Sequence, residues 1–290
     1  MKKFEVSGHE PSYLPEGEWE LVWSDEFDGT ELDESKWNYR LDFWGKRSPT
    51  FSKDVIVDGN SCLHLPLVLK DGVYRSAHLQ TGSLTYDIPK DTDGFWPFGK
   101  FEKAKFMHKF GYYEIRCKVP KSNGWHAAFW IQAPGIGSHP DPKYCGVEID
   151  IMESYRLPSE GTIIGGIGYG GYGKDMRWPG HYKYKLENPD DFHTYAVDWS
   201  EEGYIYYIDG VEVGRQMAPE CPVSHVEEFI LVSTECHGYH RAFGGDTTDD
   251  DTSLAGDAGV WGGKPVPELF NSEPGEEYVV DYVRVFDRVK

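Results

Sequence analysis

The sequence lacks long apolar runs. No stretch of the 290 residues approaches the ~18 to 20 uninterrupted apolar residues that a membrane-spanning helix needs, and the mean hydropathy is −0.57. We therefore exclude an integral membrane protein. The chain opens with Lys2 and Lys3 but has no apolar run behind them, so we expect no signal peptide. The compartment stays open between the cytoplasm and, for a trimmed chain, a secreted or periplasmic location.

Basic residues are scarce. The chain has 29 Lys and Arg against 49 Asp and Glu, which gives a net charge of −20. This charge repels phosphate backbones and anionic lipid surfaces. We expect neither a nucleic acid nor a membrane as a partner, and a neutral polymer is an easier substrate. We also expect a monomer.

Paired cysteines and helical periodicity are also lacking. The five cysteines are widely spaced and form no C-x-x-C pair, which argues against a zinc site or a disulfide framework. Glycine (33) and proline (18) separate short β-branched and aromatic runs, as is typical of strands joined by turns. The strands we predict span 54–57, 63–69, 83–86, 111–119, 127–132, 147–152, 193–199, 204–208, 228–233 and 278–286.

These strands predict a sandwich of two antiparallel sheets. No repeat or linker divides the chain, so we expect an N-terminal extension at 1–18 and a single catalytic domain at 19–290. Residues 134–144, 165–173 and 244–263 are predicted to be long loops. The third loop carries five aspartates and is either a calcium site or a solvated tip.

The segment 146–154 contains three acids among large apolar residues. On a strand, Glu148 and Asp150 share one face, while Val147, Ile149 and Ile151 point to the other. Glu153 has the wrong spacing unless a β-bulge near residues 151 and 152 returns it to the acidic face.

This spacing leaves three interpretations open, namely catalysis, a calcium site and a solvated acidic strand. In the first, Glu148 and Glu153 lean towards each other to the ~5 to 5.5 Å that a retaining glycosidase needs. Asp150 would then orient the nucleophile. Three carboxylates on one face repel, so at least one pKa should be raised, and a general acid at Glu153 requires that this pKa is its own.

The spacing Glu148-x-Asp150-x-x-Glu153 resembles the active-site strand of glycoside hydrolase family 16. Other hallmarks of that family follow the same order over about residues 19 to 288. These segments are 23–29, 58–60, 110–116, 192–195, 198–199, 209–210 and 281–285.

The resemblance implies a concanavalin-like β-jelly-roll with a concave substrate cleft and an endo-acting retaining mechanism. Glu148 would be the nucleophile, Glu153 the acid/base and Asp150 the orienting acid. No cofactor is implied for catalysis. A structural calcium ion is implied on the convex side, where Asp281 and Glu26 are the candidate ligands, with a buried salt bridge at Asp281 as the alternative.

Flat aromatic rings stack on sugars, so tryptophans are candidate substrate-binding residues. Trp125 and Trp130 match cleft positions of the family but have opposite strand parity, so one of them can belong to the core. Further candidates for substrate binding lie in predicted loops or after a strand; they are Trp44, Trp96, Trp178, Arg156 and Glu235.

Two departures from the laminarinase-like pattern leave the substrate open. The segment Trp125-His126-Ala127 stands where W-P-A is common, and Ile163–Ile167 lacks the histidine that is common there. Our first hypothesis is an endo-β-glycanase acting on β-1,3- or mixed β-1,3/1,4-glucan. The alternatives are the same chemistry on a red-algal galactan, aided by arginines such as Arg156, and a non-catalytic, lectin-like carbohydrate-binding protein.

Overall fold

The chain folds into two large β-sheets. The computed structural model describes residues 1–43, 46–47, 51–82, 104–121, 126–154, 161–171, 175–235 and 273–289. Within these ranges the strands are β1 to β21 in chain order, and one short helix, α1, spans Pro142–Cys145. The predicted all-β sandwich is confirmed.

The first sheet has nine strands. Its main path runs in the order β10 (Val68–Lys70), β11 (Val73–Gln80), β20 (Phe229–Glu235), β13 (His126–Gln132), β14 (Glu148–Ser154), β15 (Thr162–Gly168) and β16 (His181–Lys185). Two short strands, β4 (Asn38–Tyr39) and β7 (Phe51–Ser52), also pair with β11, and only the pairing of β7 is parallel among these strands.

The second sheet has eight strands. Its path runs β19 (Val211–Met217), β18 (Gly203–Ile208), β17 (His193–Ser200), β12 (Gly111–Lys118), β21 (Glu277–Arg288), β9 (Leu63–Pro66) and β8 (Ile56–Val57), and β3 (Trp19–Asp25) pairs with β21. Two hairpins complete the described strands, namely β1 (Lys2–Phe4) with β2 (Ser12–Leu14) and β5 (Asp42–Phe43) with β6 (Lys46–Arg47).

The main core lies between the two large sheets and follows the strand period of two. On β13, Ala127, Phe129 and Ile131 are fully buried in this core, and Ile230 and Val232 of β20 join them. The intervening residues of these strands therefore point away from the eight-stranded sheet. We call the side of the nine-stranded sheet that they occupy the outer face.

The N-terminal strands pack on the opposite side of the molecule. Leu14 joins Tyr112, Ala196 and Phe286 in a second cluster on the eight-stranded sheet. The buried Arg284 side chain donates to the Ser12 hydroxyl at 2.9 Å. This packing places residues 1–18 in contact with the sandwich, while the predicted division at residue 18 stays a prediction.

Two loop predictions need comment. Residues 165–168 belong to strand β15, so the loop predicted at 165–173 is wrong there. A Cβ at Gly165 would clash with the Asp150 carbonyl and the Tyr182 ring, so glycine here meets a packing demand within a strand. The predicted acidic loop 244–263 and strand 83–86 lie outside the described residues. No described helix has the length and apolar character needed to cross a membrane.

The cysteines agree with a core role where they are described. Cys117, Cys145 and Cys221 are buried free thiols, and Cys62 is a half-buried one. Cys236 lies outside the described residues.

Candidate active site

Strand β14 places its three acids on the outer face. Val147, before the strand, and Ile149 on it are fully buried in the core, whereas Glu148 and Asp150 point the other way and are 8% and 4% exposed. The Glu153 side chain is 14% exposed. Side chains that face away from the core yet are so little exposed line a recess in the outer face.

A β-bulge returns Glu153 to this face, as predicted. Ile151 and Met152 are consecutive residues, yet both are fully buried in the core. The register against β15 shifts between Asp150 and Glu153 accordingly. A bulge disrupts the ladder locally, and the buried Tyr182 hydroxyl donates to the Ile151 carbonyl at 2.6 Å. Tyr182 thus supplies a hydrogen bond to the bulge from β16.

Strand β13 forms the neighbouring row of the outer face. Gln132 is paired with Glu148, Trp130 with Asp150, and Ala128 with Glu153. Glu148 and Glu153 are therefore separated by four β13 positions, or roughly 13 Å along the strand. Ala128 is the small residue of this row, and it leaves space beside Glu153.

Burial and mutual repulsion act on the central acid. Burial raises the pKa of Asp150 well above its ordinary value, and the nearby Glu153 and Glu148 carboxylates raise it further. A raised pKa on one of the three acids was expected, but the structure places it on Asp150. The raised pKa that general-acid catalysis requires of Glu153 stays a prediction.

Strands β20 and β11 continue the outer face beyond Trp130. The Trp130 indole N–H donates to the Ser233 hydroxyl at 3.1 Å, and the Arg40 guanidinium lies 5.5 Å from the centre of the indole ring. Glu235 is paired with His126 at the end of β13. The structure thus brings the predicted residues Trp130 and Glu235 onto the same face as the acids.

Trp178 also lies beside this row. Gly168 of β15 is paired with Glu148, and a Cβ at Gly168 would meet the Trp178 ring at 2.7 Å. The Trp178 side chain stacks on His181 with ring centres 5.3 Å apart, and the residue is 43% exposed. An exposed, supported ring next to Glu148 is suited to stacking on a sugar.

Four other predicted substrate-binding residues cannot be placed in this way. Trp44, Trp96, Trp125 and Arg156 lie outside the described residues. Their predicted roles stay predictions.

The predicted calcium ligands have other partners. Arg284 forms a two-pronged hydrogen bond with Glu26, at 2.9 and 2.7 Å, and Arg116 forms a salt bridge with Asp281. No group of three or more His, Cys, Asp or Glu among the described residues could hold a metal ion. A calcium ion would have to displace two guanidinium groups, so Glu26 and Asp281 do not fit the calcium that the resemblance implies.

Several outer-face residues were not singled out from the sequence. All five are buried, and they are His78, Gln80, His126, Gln132 and Ser233. Strand parity with Trp130 is the signal that could have found His126 and Gln132, because residues two and four positions apart share a face. His78, Gln80 and Ser233 lie on other strands, and only the strand order brings them here.

Comparisons with known proteins agree with this geometry. The family model described as glycosyl hydrolases family 16 matches residues 71–223. The chain is 31% identical over 210 residues to glucan endo-1,3-beta-glucosidase A1 of Niallia circulans, covering 66% of this chain and 28% of that protein. It is 26% identical over 295 residues to a beta-glucanase of Rhodothermus marinus, covering 92% and 85% of the two chains.

The fold has solved counterparts. The laminarinase catalytic domain of Thermotoga maritima superimposes with a TM-score of 0.63 at 23% identity, covering 94% of this chain and 99% of that domain. This likeness concerns the fold, and the family model that matches residues 71–223 places the protein: the chain belongs to glycosyl hydrolase family 16.

Proposed function

We propose that this chain is a retaining, endo-acting glycoside hydrolase that cleaves a β-linked polysaccharide, with β-1,3- or mixed β-1,3/1,4-glucan as the substrate. One observation carries the proposal: a bulge in β14 brings Glu148, Asp150 and Glu153 onto one recessed face. The names of the relatives from Niallia circulans and Rhodothermus marinus support glucan as the substrate.

The chemistry follows from two glutamates in different roles. In the first step the Glu148 carboxylate attacks the anomeric carbon while Glu153 gives its proton to the departing glycosidic oxygen. In the second step Glu153 takes a proton from water, whose oxygen attacks the same carbon and releases Glu148. Double displacement needs the carboxyl groups to approach to ~5 to 5.5 Å, so the proposal requires the two side chains to lean towards each other over Asp150.

Asp150 supports the nucleophile as a neutral acid. Burial and two neighbouring carboxylates raise the pKa of Asp150, which favours its protonated form. A protonated carboxyl group can donate a hydrogen bond. Donation to Glu148 fixes the orientation of the nucleophile and adds no second negative charge next to it.

The sugar chain runs across the outer face, past both ends of the acidic row. At the Glu148 end the exposed Trp178 ring offers a stacking surface. Trp130 is buried and lies in the floor of the recess. Its indole N–H donates a hydrogen bond to Ser233. Glu235 lies beyond Glu153, where its carboxylate can accept hydrogen bonds from sugar hydroxyl groups.

The direct test is reducing-sugar release by Glu148→Gln and Glu153→Gln, with laminarin, lichenan, agarose, porphyran and carrageenan as substrates. We expect the unmutated protein to act on laminarin or lichenan, and the Glu153 variant to lose about 10²- to 10⁴-fold in kcat. The Glu148 variant should lose at least as much. Glu212→Gln, on β19 of the other sheet, is the matched control.

The same screen separates the alternatives. Release from agarose, porphyran or carrageenan alone would replace glucan with a galactan. Binding of laminarin without turnover by the unmutated protein would contradict the hydrolase and favour a carbohydrate-binding protein.

A further inference from the structure

His126 lies beside the proposed acid/base. It is the first residue of β13 and shares the outer face with Trp130 and Gln132. Its Nε2 atom is 3.2 Å from Oε1 of Glu153, and its side chain is only 8% exposed. This distance is within reach of a hydrogen bond, although the present orientation of the two groups does not form one.

The strand register explains the contact. Glu153 is directly paired with Ala128, so His126 is its diagonal neighbour across the two strands. Diagonal neighbours are within reach when one side chain is long, and the small Ala128 side chain does not intervene. The bulge at 151–152 is also needed, because it turns Glu153 towards this face.

Titratable groups lie around His126 on the neighbouring strands β14 and β20 and on the next strand, β11. Glu153 and Asp150 lie on β14, and Glu235 is the backbone partner of His126 on β20. His78 of β11 lies 3.7 Å from Glu235, and burial together with the nearby Arg40 lowers the pKa of His78 to about 3. His78 is therefore neutral near pH 7, and the imidazole of His126 lies in a row rich in carboxyl groups.

We propose that His126 is a positioning residue that holds the Oε1 atom of Glu153 and shares the catalytic proton with it. The inference rests on the proposed role of Glu153 as the acid/base. The pair shares one proton between two arrangements: either His126 is neutral, donates its Nε2 hydrogen to Oε1 and leaves the proton on Oε2 of Glu153, or His126 is an imidazolium beside the Glu153 carboxylate. In the first arrangement the proton passes from Oε2 to the glycosidic oxygen as the C–O bond breaks. In the second step Oε2 takes a proton from the attacking water, which restores the starting state.

Proton sharing predicts a specific pH dependence. A glutamate and a histidine in contact lose their last proton as a pair, at a pH above that of an isolated glutamic acid. With glutamine at position 126 only Glu153 can hold this proton. The alkaline limb of kcat/KM should then move to lower pH. The acidic limb, set by Glu148, should not move.

Two variants separate holding from sharing. His126→Ala removes both the contact with Oε1 and the second group that can hold the proton. His126→Gln keeps a neutral hydrogen-bond donor of similar reach and removes only the group that can hold the proton. On laminarin we expect His126→Ala to lower kcat/KM about 10- to 100-fold, part of what a general acid supplies. On a 2,4-dinitrophenyl β-laminarioligosaccharide, whose leaving group needs no proton, kcat/KM should fall less than about threefold. His126→Gln should recover most of the loss on laminarin but show the shifted alkaline limb.

The matched control is His64→Gln on β9. His64 also contacts a carboxylate, Glu277, at 2.7 Å, but lies on the eight-stranded sheet. The inference is overturned if His126→Gln keeps the alkaline limb of the unmutated protein, or if His126→Ala loses activity equally on both substrates. If His126→Ala does not fold, His126→Gln alone decides. If Glu153→Ala loses kcat/KM on the dinitrophenyl substrate, the assignment of Glu153 as the acid/base is overturned instead.

Discussion

Two buried acids outside the acidic row, Glu228 and Glu114, have raised pKa values. Burial raises the pKa of Glu228 to about 8, although it accepts a hydrogen bond from the Val147 N–H at 3.1 Å. That amide immediately precedes Glu148, so Glu228 anchors the start of the acidic strand. Glu114, on the other sheet, is similar, since burial raises its pKa to about 7.

Glu228→Gln should make stability less sensitive to alkali. A raised pKa means that the folded state binds this proton more tightly than the unfolded state. The stability of the unmutated protein therefore falls as pH rises from about 4.5 to about 8 through Glu228. Glu228→Gln lacks this loss. Its free energy of unfolding relative to that of the unmutated protein should therefore increase by roughly 1.4 kcal/mol per pH unit between the unfolded and folded pKa values.

Unfolding by guanidinium chloride at pH 5 and pH 8 measures this difference. The exposed neighbour Glu227 provides the control, since Glu227→Gln should show no such pH-dependent gain. If Glu228→Gln is destabilised equally at both pH values, ionisation of Glu228 in the folded protein costs no free energy, which would contradict this prediction.

The sequence indicated the acids of β14 because their alternation is local. Glu148 and Asp150 are two residues apart, and the apolar residues between them leave one strand orientation. His126 and Glu228 were not identified, because their importance depends on contacts across strands. The sequence cannot fix which strands become neighbours or how they are registered.

At the scale of elements, the bulge in β14 depends on two other strands. Tyr182 of β16 donates to the Ile151 carbonyl, and Gly165 of β15 leaves room for its ring. The need to return Glu153 to the acidic face was enough to predict the bulge. The strand around Gly165 was predicted as a loop, because the glycines carry no hydrophobic alternation and their packing role appears only in the folded sheet.

Tyr182→Phe should weaken the bulge and therefore catalysis. The change leaves the buried Ile151 carbonyl without this donor, which costs about 1 to 3 kcal/mol. Glu153 lies two residues further along, so we expect a lower kcat as well as a lower Tm. Thermal unfolding and laminarin hydrolysis measure the two effects.

Tyr206→Phe is the matched comparison for this experiment. Tyr206 is a buried neighbour of Tyr182, but its hydroxyl donates to Gln216. If both variants retain the same kcat, the hydrogen bond from Tyr182 does not help to position Glu153.

For the whole molecule, the charge pairs outside the sandwich core argue against calcium at Glu26 and Asp281. Arg284 and Arg116 already neutralise these carboxylates. We therefore expect Asp281→Asn to leave unchanged any difference in Tm between calcium and EDTA. A rise in Tm with calcium that disappears in Asp281→Asn would contradict this expectation and place an ion at Asp281.

The global architecture was the most predictable level. Strand-length apolar runs between glycines and prolines predicted the sandwich, and most predicted strands match observed ones within a few residues. The longer strands β3, β11, β16 and β19 were missed. Short strands such as β4 and β7 were missed as well, since two residues carry no period. The calcium ligands were inferred from resemblance alone. Their arginine partners could not be predicted, because Arg284 lies far from Glu26 in the sequence and Arg116 lies far from Asp281.

The account depends most on Glu148 acting as the nucleophile. Incubation with an activated 2-deoxy-2-fluoro β-laminarioligosaccharide, followed by proteolysis and mass spectrometry, tests this role directly, because fluorine slows release of the covalent intermediate. We predict one glycosyl group attached to Glu148. Attachment to Glu153 or to a residue outside β14, or active turnover of this reagent with inverted product, would contradict the account.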